Sequence, residues 1–114
     1  MDDFDIPIFK KTYDLYKTFY GYRNLLPKQD RYAIGARCDA LILDLLERIL
    51  AASRLPKTEK VPLLDAASLK LNVLRVFIRL MKETKAIDGK KYLALEAAID
   101  EIGRMLGGWI RSMR

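Results

Sequence analysis

Five residues at three- and four-residue spacing, Ser68, Asn72, Arg75, Arg79 and Lys82, fall within about 80° of one another if the chain around them is helical. A guanidinium presents a rigid fork of donors and is weakly hydrated, so arginines in a row with Asn and Ser between them suit phosphate oxygens. Further along, Arg104 and Arg111 share one helical face, and Gly107 and Gly108 between them leave the surface flat. The chemistry on offer is binding. Bond-making has little support: histidine is absent, and with it the commonest general base, the commonest metal ligand and the Ser-His and Cys-His nucleophile pairs. Cys38 is the only cysteine, which excludes an intrachain disulfide and a thiolate metal cluster within one chain. Asp39, Asp44, Glu47, Asp100 and Glu101 remain as carboxylates on two helical segments, without the Glu-x-x-His element of a di-iron bundle. No catalytic residue, metal site or cofactor is expected.

Charge is unevenly spread. The chain carries a net +6, and residues 55–86 alone hold seven Lys or Arg against three acids, +4 of that total. Two readings of the cationic face stand side by side: the solvated side of an amphipathic helix, or a row of phosphate-binding groups. The absence of interleaved acids on the face favours the second, since solvated faces usually mix signs. Asp100, four residues before Arg104, is placed to pair with it, which gives Arg104 a structural role as well. Lys70 falls inside an apolar arc, where it snorkels, meets a partner or lines a wet channel. Cys38 reads as a small buried hydrophobe.

Proline and glycine divide the chain at Leu26-Pro27, from Leu55-Pro56 through Pro62, and at Asp88-Gly89. Four segments of helical length result, near residues 8–25, 30–53, 61–85 and 90–113. The first sets Phe9, Tyr13, Tyr16 and Tyr20 at helical spacing; tyrosines there suit a core better than base stacking. The second carries Ile34, Cys38, Leu41, Leu45, Ile49 and Ala52, with Ile42, Leu46 and Leu50 beside them, an arc of roughly 200°. In the third, Leu63, Ala67, Leu74, Phe77, Ile78 and Met81 are joined by Leu69, Val73, Val76 and Leu80. The fourth has the stripe Tyr92, Leu95, Ile99, Ile102, Leu106, Trp109 and Met113. Such segments predict an all-α, antiparallel up-down-up-down four-helix bundle. Residues 54–62 are the longest expected loop. The wide apolar arcs fit either central helices or contact with another copy of the chain. Gly103-x-x-x-Gly107 costs about 1 kcal/mol per glycine inside a helix, and close helix approach is the expected compensation.

At 114 residues the chain is expected to form a single domain, residues 1–114. It is 51% hydrophobic and 32% charged, which supplies both a core and a surface and argues against disorder. No apolar run is long enough to span a bilayer, and the acidic start Met1-Asp2-Asp3-Phe4-Asp5 is unlike a signal peptide, so a cytoplasmic protein with no membrane partner is expected.

The stretch Leu74-Arg75-Val76-Phe77-Ile78-Arg79-Leu80, followed by Ile102-Gly103-Arg104-Met105-Leu106-Gly107-Gly108-Trp109-Ile110, resembles the accessory variability determinant of diversity-generating retroelements. That family sits within a wider four-helix-bundle group that includes proteins encoded in intervening sequences of bacterial 23S ribosomal RNA genes. The similarity runs through most of the chain, including the Leu26-Pro27-Lys28 entry to the second segment. Leu43-Asp44-Leu45-Leu46-Glu47-Arg48 departs from the Asn-Ile-Ala-Glu-Gly-like element of the intervening-sequence branch, which favours the retroelement branch. The resemblance implies a homopentameric, barrel-like ring that binds RNA and DNA, associates with a retroelement reverse transcriptase and supports mutagenic retrohoming. It implies no chemistry by the chain itself. Arg75 and Arg79 match the family's basic third helix, and Arg104 the arginine before the Leu-Gly-x-Trp-Ile element. Lys82 and Arg111 join these nucleic-acid-binding candidates on wheel geometry alone. A protein-binding adaptor, or an intervening-sequence-type protein with no retroelement role, is the competing reading.

Overall fold

Proline and aspartate mark where helices begin in the computed structural model, which describes residues 2–114 and leaves Met1, the residue before the acidic opening stretch, outside the described part. After a 3-10 turn at Asp3–Asp5, Pro7 opens α1 (Pro7–Arg23) from the first helical position, where its missing N–H is no loss. Pro27 precedes the single turn α2 (Lys28–Arg31), which leads into α3 (Ile34–Ser53). Pro56 precedes α4 (Lys57–Glu83). Asp88 caps α5 (Gly89–Ser112), its carboxylate accepting from the Lys91 backbone N–H at 2.8 Å. No strand occurs among the described residues.

Two boundaries differ from the sequence expectation. The second segment is not one helix from residue 30: it breaks at Tyr32 and Ala33, and the chain turns a tight corner there. A Cβ at Gly35 would lie 2.8 Å from Leu26 Cδ1 and 3.0 Å from the Asp30 carbonyl oxygen, so only glycine lets α3 start this close to α2. The expected loop at 54–62 shrinks to residues 54–56, and α4 runs straight through Pro62. Pro62 forgoes one bond, to the Thr58 carbonyl, near the helix start; the apolar positions that follow hold the helix in place.

At its other end α4 closes in a Schellman motif, with the Ala86 N–H on the Met81 carbonyl at 2.8 Å and the Lys85 N–H on the Lys82 carbonyl at 3.0 Å. Lys85 occupies the left-handed position, φ 65°, normally given to glycine. Lys85→Gly is therefore expected to raise stability by up to about 1 kcal/mol, read as a higher denaturation midpoint with an unchanged slope.

The four long helices form an antiparallel bundle. Lys11 near the start of α1 meets Glu101 in the second half of α5 at 2.8 Å, Arg23 at the end of α1 meets Asp39 near the start of α3 at 3.3 Å, and Arg114 reaches back to Asp65 in the first half of α4 at 3.0 Å. Helix α3 packs on α1 and α4, and α5 closes the ring against the same two. The molecule measures 43 × 25 × 22 Å, its long axis set by α4 at ~1.5 Å per residue.

The core corrects part of the expected pattern. On α1 the buried residues are Ile8, Thr12, Leu15 and Phe19, not the aromatic stripe; Tyr13 and Tyr20 face outward, and Phe9 and Tyr16 lie at the core's edge. Thr12 is tolerated inside because its hydroxyl donates to the Ile8 carbonyl at 2.8 Å. On α4, Leu64 and Leu71 join Ala67, Leu74, Ile78 and Met81 in the core, whereas Leu69, Val76 and Leu80 remain exposed. The expected centres of α3 and α5 are buried: Cys38, Leu45, Ile49 and Ala52 on one, and Leu95, Ile99, Ile102 and Leu106 on the other. Burial pushes the Cys38 thiol up to about 12, so it packs as an inert small side chain.

Candidate nucleic-acid interface

Along the seam between α4 and α5 runs an open groove of about 460 Å³, lined by Ser68, Leu71, Asn72, Arg75, Asp100, Gly103, Arg104, Gly107 and Arg111. Three of the five cationic candidates meet here: Arg75 from one wall, Arg104 and Arg111 from the other. Ser68 and Asn72 come with Arg75 because spacing by three and four residues stacks them on one helical face. Arg104 and Arg111 are separated by about 10 Å along the axis, two helical turns.

The glycines form the floor of this groove. A Cβ at Gly103 would meet the tips of Arg75 and Leu71 at 3.5 Å, and one at Gly107 would meet Arg111 Nη1 at 3.3 Å. The neighbours are side-chain ends and not helix backbone. Within the bundle the glycine pair therefore does not serve close approach of two helix backbones; it makes room for the arginine side chains lying across it.

Nor is the cationic face free of acids. Arg75 is bonded to Asp100, supplied by α5 across the groove, and Arg79 to Glu83 one turn along its own helix at 2.9 Å. Asp100 turns towards Arg75, so the expected Asp100–Arg104 pair does not form. Arg104 and Arg111 take part in no ion pair among the described residues. Both are exposed. Lys82 lies 4.6 Å from the centroid of the Tyr92 ring, a cation–π contact. Arg79 and Lys82 thus stand beyond the groove, towards the turn between α4 and α5. The Glu83 hydrogen bond raises the pKa of Arg79 further, and a hydrogen bond to Glu96 raises that of the Tyr92 hydroxyl.

The part of the groove that sequence periodicity missed is its far wall. Wheel geometry places residues within one helix, whereas the Arg75–Asp100 contact joins positions 25 residues apart. Its only precursor in the chain was the polar face shared by Asp100, Arg104 and Arg111, on the side of α5 away from the apolar stripe.

A second surface is apolar. Leu69, Val73, Val76 and Leu80 follow one another at four, three and four residues on α4; Leu69 is 65% exposed and Val76 57%. Lys70 borders this stripe and is held 3.6 Å from Asp44 of α3, which also receives Arg48 at 2.9 Å. The position of Lys70 is explained by that bridge.

No group of three or more His, Cys, Asp or Glu is clustered to hold a metal ion among the described residues. Among the described residues no helix is long and apolar enough to cross a membrane. No curated protein matches the chain. The family model described as bAvd-like matches residues 7–113, from the first turn of α1 to the last residue but one. Because the match takes in all four long helices and both motifs that carry the groove arginines, the chain belongs to the bAvd-like family.

Proposed function

We propose that the chain is a nucleic-acid-binding accessory protein of a diversity-generating retroelement, which engages template RNA and its complementary DNA and associates with the reverse transcriptase during mutagenic retrohoming. Membership in the family supports the setting. The observation that carries the binding role is the convergence of Arg75, Arg104 and Arg111 on one open groove with Ser68 and Asn72 as neutral donors. Guanidinium groups held by packed helices and reachable by solvent suit phosphate oxygens, and release of counterions on contact supplies most of the affinity. The protein holds the strand; the polymerase does the chemistry.

The test is a titration of labelled RNA and DNA, single-stranded and duplex, over a range of salt. A logarithmic slope of about −2 per chain is expected if three arginines each neutralise a phosphate of a single strand. Affinity that is absent, or indifferent to salt, overturns the reading.

Assembly into a homopentameric ring is part of the proposal, and its support is the stripe of exposed Leu69, Val76 and Leu80 with half-buried Val73, whose spacing is that of a helix–helix seam. Five copies of a +6 chain carry +30, which multiplies a modest charge into a strong, salt-sensitive field. The variant with Leu69→Glu and Val76→Glu is expected to run as a monomer by light scattering while keeping its helical content, since both side chains point away from the core. An unchanged oligomer would remove this stripe from the interface, and a wild-type monomer would remove the ring. If the wild type proves oligomeric and binds no nucleic acid, a protein-binding adaptor, which the same stripe favours, replaces the first reading.

A further inference from the structure

We infer that the groove between α4 and α5 receives one nucleotide unit of a single strand, and that the Asp100 carboxylate holds the place of its phosphate on Arg75. This rests on the nucleic-acid-binding reading and adds which strand form is bound and how the site is kept when empty. A carboxylate oxygen and a phosphate oxygen are alike as acceptors for a guanidinium N–H, so the Asp100 Oδ1 that accepts from Arg75 Nη1 stands in for a phosphate oxygen. The Arg75 side chain is 38% exposed and that of Asp100 44%. At that exposure an ion pair contributes little, and an incoming phosphate exchanges for the carboxylate easily.

The other two arginines need no such exchange. Arg104 and Arg111 have no acid partner among the described residues and offer the landing points, after which the strand displaces Asp100 from Arg75. Shape selects the strand form. A concave groove of about 460 Å³ is of the size that encloses a small molecule. A duplex is a convex rod with its bases stacked inside, whereas a single strand can splay a base and sugar into a cleft. The tips of Arg75 and Arg111 lie over Gly103 and Gly107 and so present their guanidinium groups to this cleft, and Ser68 and Asn72 offer hydrogen-bonding groups beside it.

Fluorescence anisotropy on a short labelled RNA, single-stranded and annealed to its complement, tests this with three full-length variants checked for fold by circular dichroism. Glu47→Gln removes one exposed acid on α3, away from the groove, and measures the generic gain from charge. Asp100→Asn is expected to tighten single-strand binding about five-fold beyond that control and to leave duplex binding at the control level. A Cβ at Gly107 meets only the tip of the Arg111 side chain; Gly107→Leu, with its helical content intact by circular dichroism, puts an apolar side chain where that tip lies and is expected to weaken single-strand binding several-fold. Equal gains for Asp100→Asn and Glu47→Gln, unchanged affinity for Gly107→Leu, or duplex binding that shifts in parallel each overturn the inference while leaving salt-dependent binding by the wild type intact. A wild type that binds neither form overturns the functional reading with it.

Discussion

Changing Arg75, Arg104 and Arg111 together to glutamate is expected to weaken RNA binding by about a hundred-fold or more at low salt, and to flatten the salt dependence by about two logarithmic units per chain. The size follows from geometry. Each of the three lines the same groove, so each removes a phosphate contact and adds a repulsive charge at the same place. Changing Arg79 and Lys82 to glutamate alters charge by two-thirds as much, four units against six, yet is expected to weaken binding by far less than that share. Arg79 is engaged by Glu83 and Lys82 by the Tyr92 ring, and neither lines the groove. The comparison separates a site from a field. If the two variants weaken binding in proportion to the charge each alters, non-specific attraction to a basic helix accounts for the affinity; if the triple variant stays helical and binds as before, the groove has no part in it. Helical content should survive in both variants, because the side chains altered are wholly or partly exposed and surface ion pairs contribute at most about 1 kcal/mol each.

Phe19→Ala is expected to lower stability by about 3–5 kcal/mol, and Tyr20→Ala by under about 1 kcal/mol. Phe19 is fully buried in the single core cluster, while its neighbour Tyr20 is 61% exposed. Truncating Phe19 removes the transfer free energy of a ring and leaves a cavity that rigid helices close only in part. Domains of this size are stable by about 5–15 kcal/mol, so the loss takes a large share and should lower the thermal midpoint by ten degrees or more. Similar effects from the two substitutions would mean that the aromatic stripe of α1, and not Ile8, Leu15 and Phe19, faces inward.

That pair of residues also marks how far periodicity reaches. Helix number, approximate length and the buried centres of α3 and α5 were legible in the chain, because Pro and Gly punctuate it and because Cys38, Leu45, Ile49, Leu95, Ile99, Ile102 and Leu106 recur at helical spacing. On α1 and α4 apolar residues occupy more than one face, so spacing alone did not choose between them. The choice fell to packing: Ile8, Leu15 and Phe19 fill the space offered by α3 and α5, and the tyrosines, each with a hydroxyl to solvate, take the rim. Pro62 misled for a related reason. A proline near a helix start costs one hydrogen bond, and the burial of Leu64, Ala67 and Leu71 just beyond it outweighs that loss.

For the site, residue types and spacing along the chain determined that Ser68, Asn72 and Arg75 share a face, that Arg104 and Arg111 share another, and that no histidine is present to form a Ser-His or Cys-His nucleophile pair. Only the tertiary structure decided that these two faces meet in one groove, that Asp100 reaches across it to Arg75 while Arg104 goes unpaired, and that Arg79 and Lys82 lie outside. The reason is physical. Within a helix, position follows from a fixed rotation per residue; between helices, it follows from how two packed surfaces slide and rotate until their cores fit, and no local rule encodes that register.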